Sequence, residues 1–334
     1  MHKRITRSFL IAASLAGGLL SQSALAADKV VYQLDWLPGG DKSPVYLGVQ
    51  EGFFADEGLE VRIANGRGST DAITKIATGQ ADIGSADIAS LMAAKAQDGS
   101  LPVKAVYSIF NRAPHAFFTL ETSGIRKVTD IEGKKVATSP FTSSNAFLPL
   151  VLKDNGLEED AVQLTKADPG ALGPMLMNGG TDAIIAWVTN IALFDNQAKT
   201  TGNKLVVLPW SDAGLELYSS SVVAAEKFLS ERPDVARRFM RAYDKSLKLT
   251  HDDPTKAAEA LHTMVPEVDV DVAVAQIGDS MKLIVNDVSE RDGLGALTEE
   301  RVALTWSRVA QAEKLAGDAL DPETVIDRTL LEAL

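Results

Sequence analysis

Two rhythms of apolar residues alternate along this chain. Short runs such as "KVVYQLDW" (29–36), "LEVRIA" (59–64) and "VKAVYSIF" (103–110) are dense in Val, Ile and aromatic residues and predict buried strands. Between them, "PVYLGVQEGFFADEG" (44–58), "TDAITKIATG" (70–79) and "DIASLMAAKAQDG" (87–99) space apolar residues at helical intervals and predict helices. Val45, Leu47, Val49 and Phe53 supply the apolar side of the first; Ser43 is placed to cap it, Pro44 suits its first turn and Gly58 stops it. The alternation restarts at "HAFFTL" (115–120). It continues through "KKVATS", a loop and helix over "PFTSSNAFLPLVLKDNG" (140–156), "VQLTKA", a helix over "GALGPMLMNG" (170–179), "TDAIIAW" (181–187), a helix over "TNIALFDNQAKTTG" (189–202) and "KLVVLPW" (204–210). One more strand, "SSSVVAA" (219–225), precedes a mainly helical remainder. If the helix over 140–156 starts at Ser144, Pro149 lies inside it and removes a hydrogen bond.

This order predicts an α/β fold with largely parallel sheets, in which ligands gather outside the carboxyl ends of the strands. Those ends are Trp36, residues 65–69, residues 85–87 and residues 110–112. One unit is spelled twice: "TGQADIGSA" (78–86) and "NGGTDAIIAW" (178–187) each follow a helical pattern with Gly, a small polar residue, Asp and a short apolar run. The pair predicts duplicated architecture, although similarly short αβ units recur in any parallel-sheet protein.

Composition changes the picture at the start of the chain. "MHKRITR", the apolar "FLIAASLAGGLL" and the A-x-A site at residues 24–26 form the three regions of a secretory leader, with cleavage expected after Ala26. No later stretch approaches the ~20 apolar residues of a membrane helix, so residues 27 onward are expected to be exported and free of the membrane. The leader carries three basic residues and no acid, so its loss moves the formal charge from −12 to −15. Such a surface argues against nucleic acid and acidic membranes as partners. With no cysteine in the chain, disulfides contribute nothing. The four histidines share no ligand spacing, so no metal site and no cofactor is expected. Neither a phosphate-binding G-x-x-x-x-G-K-[ST] nor a G-x-S-x-G elbow is present.

"LDWLPGGDKSPVYLGVQEGFFADEGLEVRI" followed by "ITKIATGQADIGSAD" resembles the start of exported binding proteins of ABC importers, in the branch for sulfonates, taurine, nitrate and thiamine-pyrimidine precursors. "IEGKKVATSPFTSSNAFLPLVLKDNGL" and "GGTDAIIAWVTN" resemble the second lobe of the taurine and sulfonate members, and "SSVVAAEKFLSERPDVARRFMRAYDKSL" the return to the first. The resemblance implies a type II periplasmic binding protein fold of two lobes, each a mostly parallel sheet flanked by helices, joined by two crossovers. The first lobe would be 28–112 plus 217–334 and the second 113–216. It implies a monomer that captures a small ligand in the periplasm and delivers it to a permease whose ATPase is a separate subunit. A sulfonate or taurine-like anion is the first expectation. A pyrimidine precursor or other small aromatic solute is the alternative, and an exported enzyme on the same fold is a third, less favoured one.

Several residues stand where such a ligand would lie. Trp36 and Trp187 offer aromatic walls. Ser43, Ser69 and Thr142-Ser143-Ser144, with Phe141 beside them, sit at helix starts whose free N–H groups suit an anion, though plain capping needs the same residues. Lys42, Arg67 and Arg112 lie on loops where a cation could meet a sulfonate or carboxylate. Asp41 and Asp87 could meet an amine, though Asp87 could equally cap the next helix; Ser85 accompanies Asp87, and Asn190 and Tyr218 complete the set. At 187–190 the taurine and sulfonate branch commonly reads Trp, an acid, Pro and an aromatic; here it reads Trp187-Val188-Thr189-Asn190, so the Trp is kept and the acid lost. The Glu that pyrimidine binders often carry at the Trp position is absent. The fungal pyrimidine synthases resemble the N-terminal half, but alignment on "GQADIG" puts their lysine and histidine at Ala86 and Ser90, and their cysteine cluster near the Cys-free "YSSS".

Overall fold

Ten of the apolar runs form strands in the computed structural model, which describes residues 27–334. The expected leader falls outside the described residues. The strands are β1 (Asp28–Gln33), β2 (Leu59–Ala64), β3 (Ile83–Asp87), β4 (Val103–Ser108), β5 (His115–Leu120), β6 (Lys135–Thr138), β7 (Gln163–Lys166), β8 (Ala183–Trp187), β9 (Leu205–Pro209) and β10 (Ser220–Ala225). They make two five-stranded sheets, ordered β2-β1-β3-β10-β4 and β7-β6-β8-β5-β9. In each sheet four strands run one way and one runs against them: β10 in the first, β5 in the second. Both reversed strands follow a crossover, residues 109–114 before β5 and 210–219 before β10. The largely parallel, two-sheet α/β architecture expected from the sequence is what forms, with one antiparallel strand inserted into each sheet where the chain changes sides.

The duplicated unit occupies the same place in both sheets, as β3 and β8. The turns before them match. Gly79 and Gly179 both have φ near +75°, a left-handed conformation that glycine adopts without a Cβ penalty. Asp82 Oδ2 accepts from Val31 N at 2.8 Å and Asp182 Oδ2 accepts from Lys135 N at 2.8 Å, so each aspartate ties its turn to the neighbouring strand.

Two details differ from the sequence reading. The helix expected over 44–58 breaks into Ser43–Gln50 and Phe53–Asp56, because the chain turns at Gly52 with φ 74°. The helix Ser144–Asp154 does begin at Ser144, and Pro149 sits inside it.

The C-terminal helices complete the molecule. Pro233–Asp252 packs on the first sheet, where Phe239 stacks on Tyr32 at 5.7 Å and on Phe54 at 4.9 Å. Val270–Ile284 reaches across to the helix Ile191–Thr200, and Glu299–Glu313 to Ser144–Asp154. Among the described residues no helix is long and apolar enough to cross a membrane.

Candidate functional site

The carboxyl ends of the strands of the two sheets face one another across a cleft. Its inner pocket encloses about 330 Å³ of space between atoms. Asp35, Trp36, Asp41, Gly68 and Ser69 line it from loops of the first sheet, and Thr142, Ala186, Trp187 and Asn190 from the second. The space left free between its walls holds roughly one water. The lobes are therefore drawn together, and a larger guest enters only if they part.

Hydrogen bonds to backbone carbonyls hold that closed arrangement. Thr70 N donates to Phe141 O at 3.2 Å, and Ser139 Oγ donates to Arg67 O at 2.8 Å. A Cβ on Gly68 would lie 2.2 Å from Phe141 O, so only glycine lets the two loops approach this closely. The tryptophans add apolar contact across the cleft. Trp36, on the loop after β1, packs against the apolar cluster around Phe118, Ala186 and Phe194. Trp187, at the end of β8, packs edge-on to Phe110 at 5.9 Å.

A buried charge cluster forms the floor. Lys42 Nζ lies 2.5 Å from Asp35 Oδ1 and 2.9 Å from Asp41 Oδ2, with the Trp187 ring centre 5.4 Å away. Burial works against the Lys42 charge, but Asp35 and Asp41 outweigh it and hold the ammonium above its ordinary pKa. Burial pushes the Asp41 carboxyl up, although Lys42 opposes the shift. Ser85 Oγ donates to Asp35 Oδ1 at 3.0 Å. Asp35 Oδ2 and Trp187 Nε1 are buried with no hydrogen-bond partner. An unpaired buried acceptor and donor beside one pocket are costly, and a guest offering an N–H and an acceptor would satisfy both.

The three cations read from the sequence are all engaged with carboxylates. Lys42 is neutralised within its cluster, and none of the three lines the inner pocket. Arg67 stacks on Phe141 at 4.6 Å and meets Asp71 Oδ1 at 3.4 Å, which puts both Arg67 and Phe141 on the clamp between lobes. Arg112 pairs with Asp287 on the surface. Other expectations also give way. Ser43 is wholly buried in the first turn of its helix, with Lys42 at the cap position and its own hydroxyl unpartnered. Tyr218 is wholly buried too, its hydroxyl accepting from Thr298 N at 3.2 Å. Neither borders the pocket.

Behind Trp187 a second polar cluster sits at the crossovers. His115 pairs with Trp187 across β5 and β8. Its Nδ1 meets Ser144 Oγ at 2.9 Å, and its Nε2 faces Asp87 Oδ2 at 3.6 Å, too long for a hydrogen bond. Asp87 caps the helix Ile88–Gln97 by accepting from Ala89 N at 2.9 Å, and it accepts from Ser219 Oγ at 2.8 Å. Its backbone N–H donates to Ser69 Oγ at 3.0 Å. Burial raises the Asp87 carboxyl to about 6 and lowers the His115 imidazole to about 3. Ser143 is buried nearby with an unpartnered hydroxyl. Asp87, Ser143 and Ser144 thus support the site from behind.

Of the sequence candidates, Trp36, Asp41, Ser69, Thr142, Trp187 and Asn190 come together in the inner pocket. Asp35 was missed. Its signal was an acid immediately before Trp36 at the carboxyl end of a strand.

A family model described as "NMT1/THI5 like" matches residues 40–257. The riboflavin-binding protein RibY of Chloroflexus aurantiacus is 23% identical over 294 residues, covering 86% of this chain and 81% of that one. The formylaminopyrimidine-binding protein of Halalkalibacterium halodurans is 25% identical, covering 80% of each. The 4-amino-5-hydroxymethyl-2-methylpyrimidine phosphate synthase THI13 of Saccharomyces cerevisiae is 23% identical, covering 75% of this chain and 76% of that one. Among solved structures, the alkanesulfonate-binding protein SsuA of Xanthomonas axonopodis pv. citri, bound to MOPS, superposes with a TM-score of 0.70 at 15% identity, over 91% of this chain and 99% of that one. The last is a likeness of fold.

Proposed function

The chain belongs to the NMT1/THI5-like family, and from that premise we propose that it is the exported solute-binding component of an ABC importer, closing two lobes on a small planar heterocycle that carries N–H donors. The observation that carries the ligand class is the pocket's chemistry. Two tryptophans border it, Asp35 Oδ2 and Trp187 Nε1 are left unpaired beside it, and no Lys or Arg lines it. An amino-substituted ring can stack on the indoles and donate to Asp35. A sulfonate there would face Asp35 and Asp41 with Lys42 as the only nearby cation, and Lys42 already serves both carboxylates.

The relatives that bind riboflavin and formylaminopyrimidine support this reading. Sulfonate becomes the second reading, supported by Ser69 and Thr142 near the starts of two helices that open on the pocket. Binding rather than catalysis is supported by the residues at the synthase positions: Ala86 is a wholly buried apolar side chain and Ser90 lies in the helix Ile88–Gln97. The lobes 28–112 plus 217–334 and 113–216 would hinge at the two crossovers, and a cleaved leader would place the monomer in the periplasm with a permease and a separate ATPase as partners.

A thermal-shift and calorimetric screen tests this. Probes are 4-amino-5-hydroxymethyl-2-methylpyrimidine and riboflavin against taurine, alkanesulfonates and nitrate. A heterocycle at a hundredfold excess over its Kd should stabilise the fold by about 2.7 kcal/mol and be recovered unchanged. Shifts with sulfonates alone would overturn the ligand class, and a converted product would overturn the binding role.

A further inference from the structure

The inner pocket opens into a much larger outer groove. The two share Trp36, Asp41 and Asn190, so they are continuous. The groove spans about 1290 Å³, part of it open to solvent, between the loop after β1, the helix Val270–Ile284 of the first lobe and the helix Ile191–Thr200 of the second. While the inner pocket is nearly shut, the groove stays open. A ligand held by its ring in the inner pocket has space for a substituent here.

Two side-chain amides border the groove from opposite lobes. Gln276 is 3% exposed, and its Oε1 accepts from Gly40 N at 2.8 Å. That bond fixes the amide and leaves Nε2 as its free end, a donor. Gln197 Oε1 is turned away, buried against Gly173, where a Cβ would lie 2.1 Å from it. Apolar side chains, among them Leu37, Leu193 and Val272, line the groove around them. The charges that border it are all negative: Asp41, Glu267 and Asp269, with no Lys, Arg or His among its lining residues.

We infer that the outer groove is a second subsite, which takes a neutral polyhydroxyl chain attached to the ring. Hydroxyls can accept from Gln276 Nε2, while their C–H faces lie on the apolar wall. The three acids disfavour a phosphate ester of the same chain, since nothing in the lining pairs with a dianion. The inference rests on the heterocycle reading of the inner pocket and adds what the ring carries.

Calorimetry on residues 27–334 separates the two. The ring-only probes are lumichrome and 4-amino-5-hydroxymethyl-2-methylpyrimidine; riboflavin adds a neutral polyhydroxyl chain, and riboflavin 5′-phosphate adds charge to that chain. Riboflavin should bind at least tenfold more tightly than either ring-only probe, and its phosphate at least tenfold more weakly than riboflavin. Gln276→Leu should weaken riboflavin about fivefold, as the loss of one hydrogen bond does, and leave lumichrome within twofold. Glu267→Lys, a change at an exposed position, should selectively tighten the phosphate ester. Riboflavin no tighter than the ring-only probes overturns the subsite and leaves the heterocycle reading standing. No binding by any of the four overturns both.

Discussion

The units that end in β3 and β8 are the same device placed one hundred residues apart. Each has a glycine near φ +75°, an aspartate clamping the adjacent strand at 2.8 Å, and a central position in its sheet. They part company at the last residues. The first ends in Ser85-Ala86-Asp87, which holds Asp35 and caps a helix at the crossovers; the second ends in Ala186-Trp187, which borders the pocket. The turn and clamp are set by backbone requirements that both lobes share. The strand end has no such duty, so there the two copies diverge, one tied into polar contacts behind the pocket and the other bordering it. They still meet, because His115 pairs with Trp187 in the sheet and faces Asp87 across the crossover.

The largest expected effect sharpens the supporting end. Asp87 has a folded-state pKa near 6 against ~3.9 for an ordinary Asp. The folded protein therefore carries the cost of a buried carboxylate above pH 6, and that cost is relieved as the pH falls toward 4. Asp87→Asn removes the titration. Its stability relative to wild type should be higher at pH 7 than at pH 4 by on the order of 3 kcal/mol, measured by urea unfolding at both pH values. A constant difference would mean that the carboxylate is not strained by burial. His115 works the other way: lowered to about 3, it should cost stability as the pH falls below 6.5, and His115→Gln should remove that loss.

Trp187→Ala probes the recognition end. Truncating a buried aromatic anchor costs ~2 kcal/mol or more, roughly thirtyfold in affinity, and calorimetry with the identified ligand should show it. Asp87→Asn should change the same affinity much less. Equal losses at both ends would erase the distinction between them. The clamps should instead behave alike: Asp82→Ala and Asp182→Ala each remove a side-chain acceptor from a backbone N–H that water can still reach, and should cost about 0.5–1.5 kcal/mol. An outcome in which one is neutral would break the equivalence of the two units. Smallest are Gly79→Ala and Gly179→Ala, each about 1 kcal/mol, because a Cβ meets no atom within 4 Å at either position and only the left-handed backbone resists it.

Those shared features are why the fold was legible. Apolar runs bounded by turn residues, and a glycine before an aspartate, are local signals, and they located the strands and the duplication. Trp36, Asp41, Ser69, Thr142, Trp187 and Asn190 were also legible, since residues at the carboxyl ends of strands converge once two such sheets face each other. Charge pairing was not. Arg112 finds its partner 175 residues away in Asp287, and Arg67 spends its guanidinium on Asp71 and Phe141. Lys42 looked like an anion receptor in "GGDKS", yet it is shared between Asp41 and Asp35. Tyr218, in a polar stretch, is carried inside by the crossover and buried against Thr298. A run of neighbours along the chain does not tell which distant carboxylate a cation will meet, and that pairing leaves no Lys or Arg lining the inner pocket.

The most direct measurement is a crystal structure of the protein with a ligand that calorimetry shows to bind. The account predicts a planar ring bordered by Trp36 and Trp187, with a ring or amino N–H within about 3.2 Å of Asp35 Oδ2 and both lobes closed over it. A sulfonate or carboxylate group seated on the backbone N–H groups near Ser69 and Thr142, with Asp35 still unpaired, would contradict it.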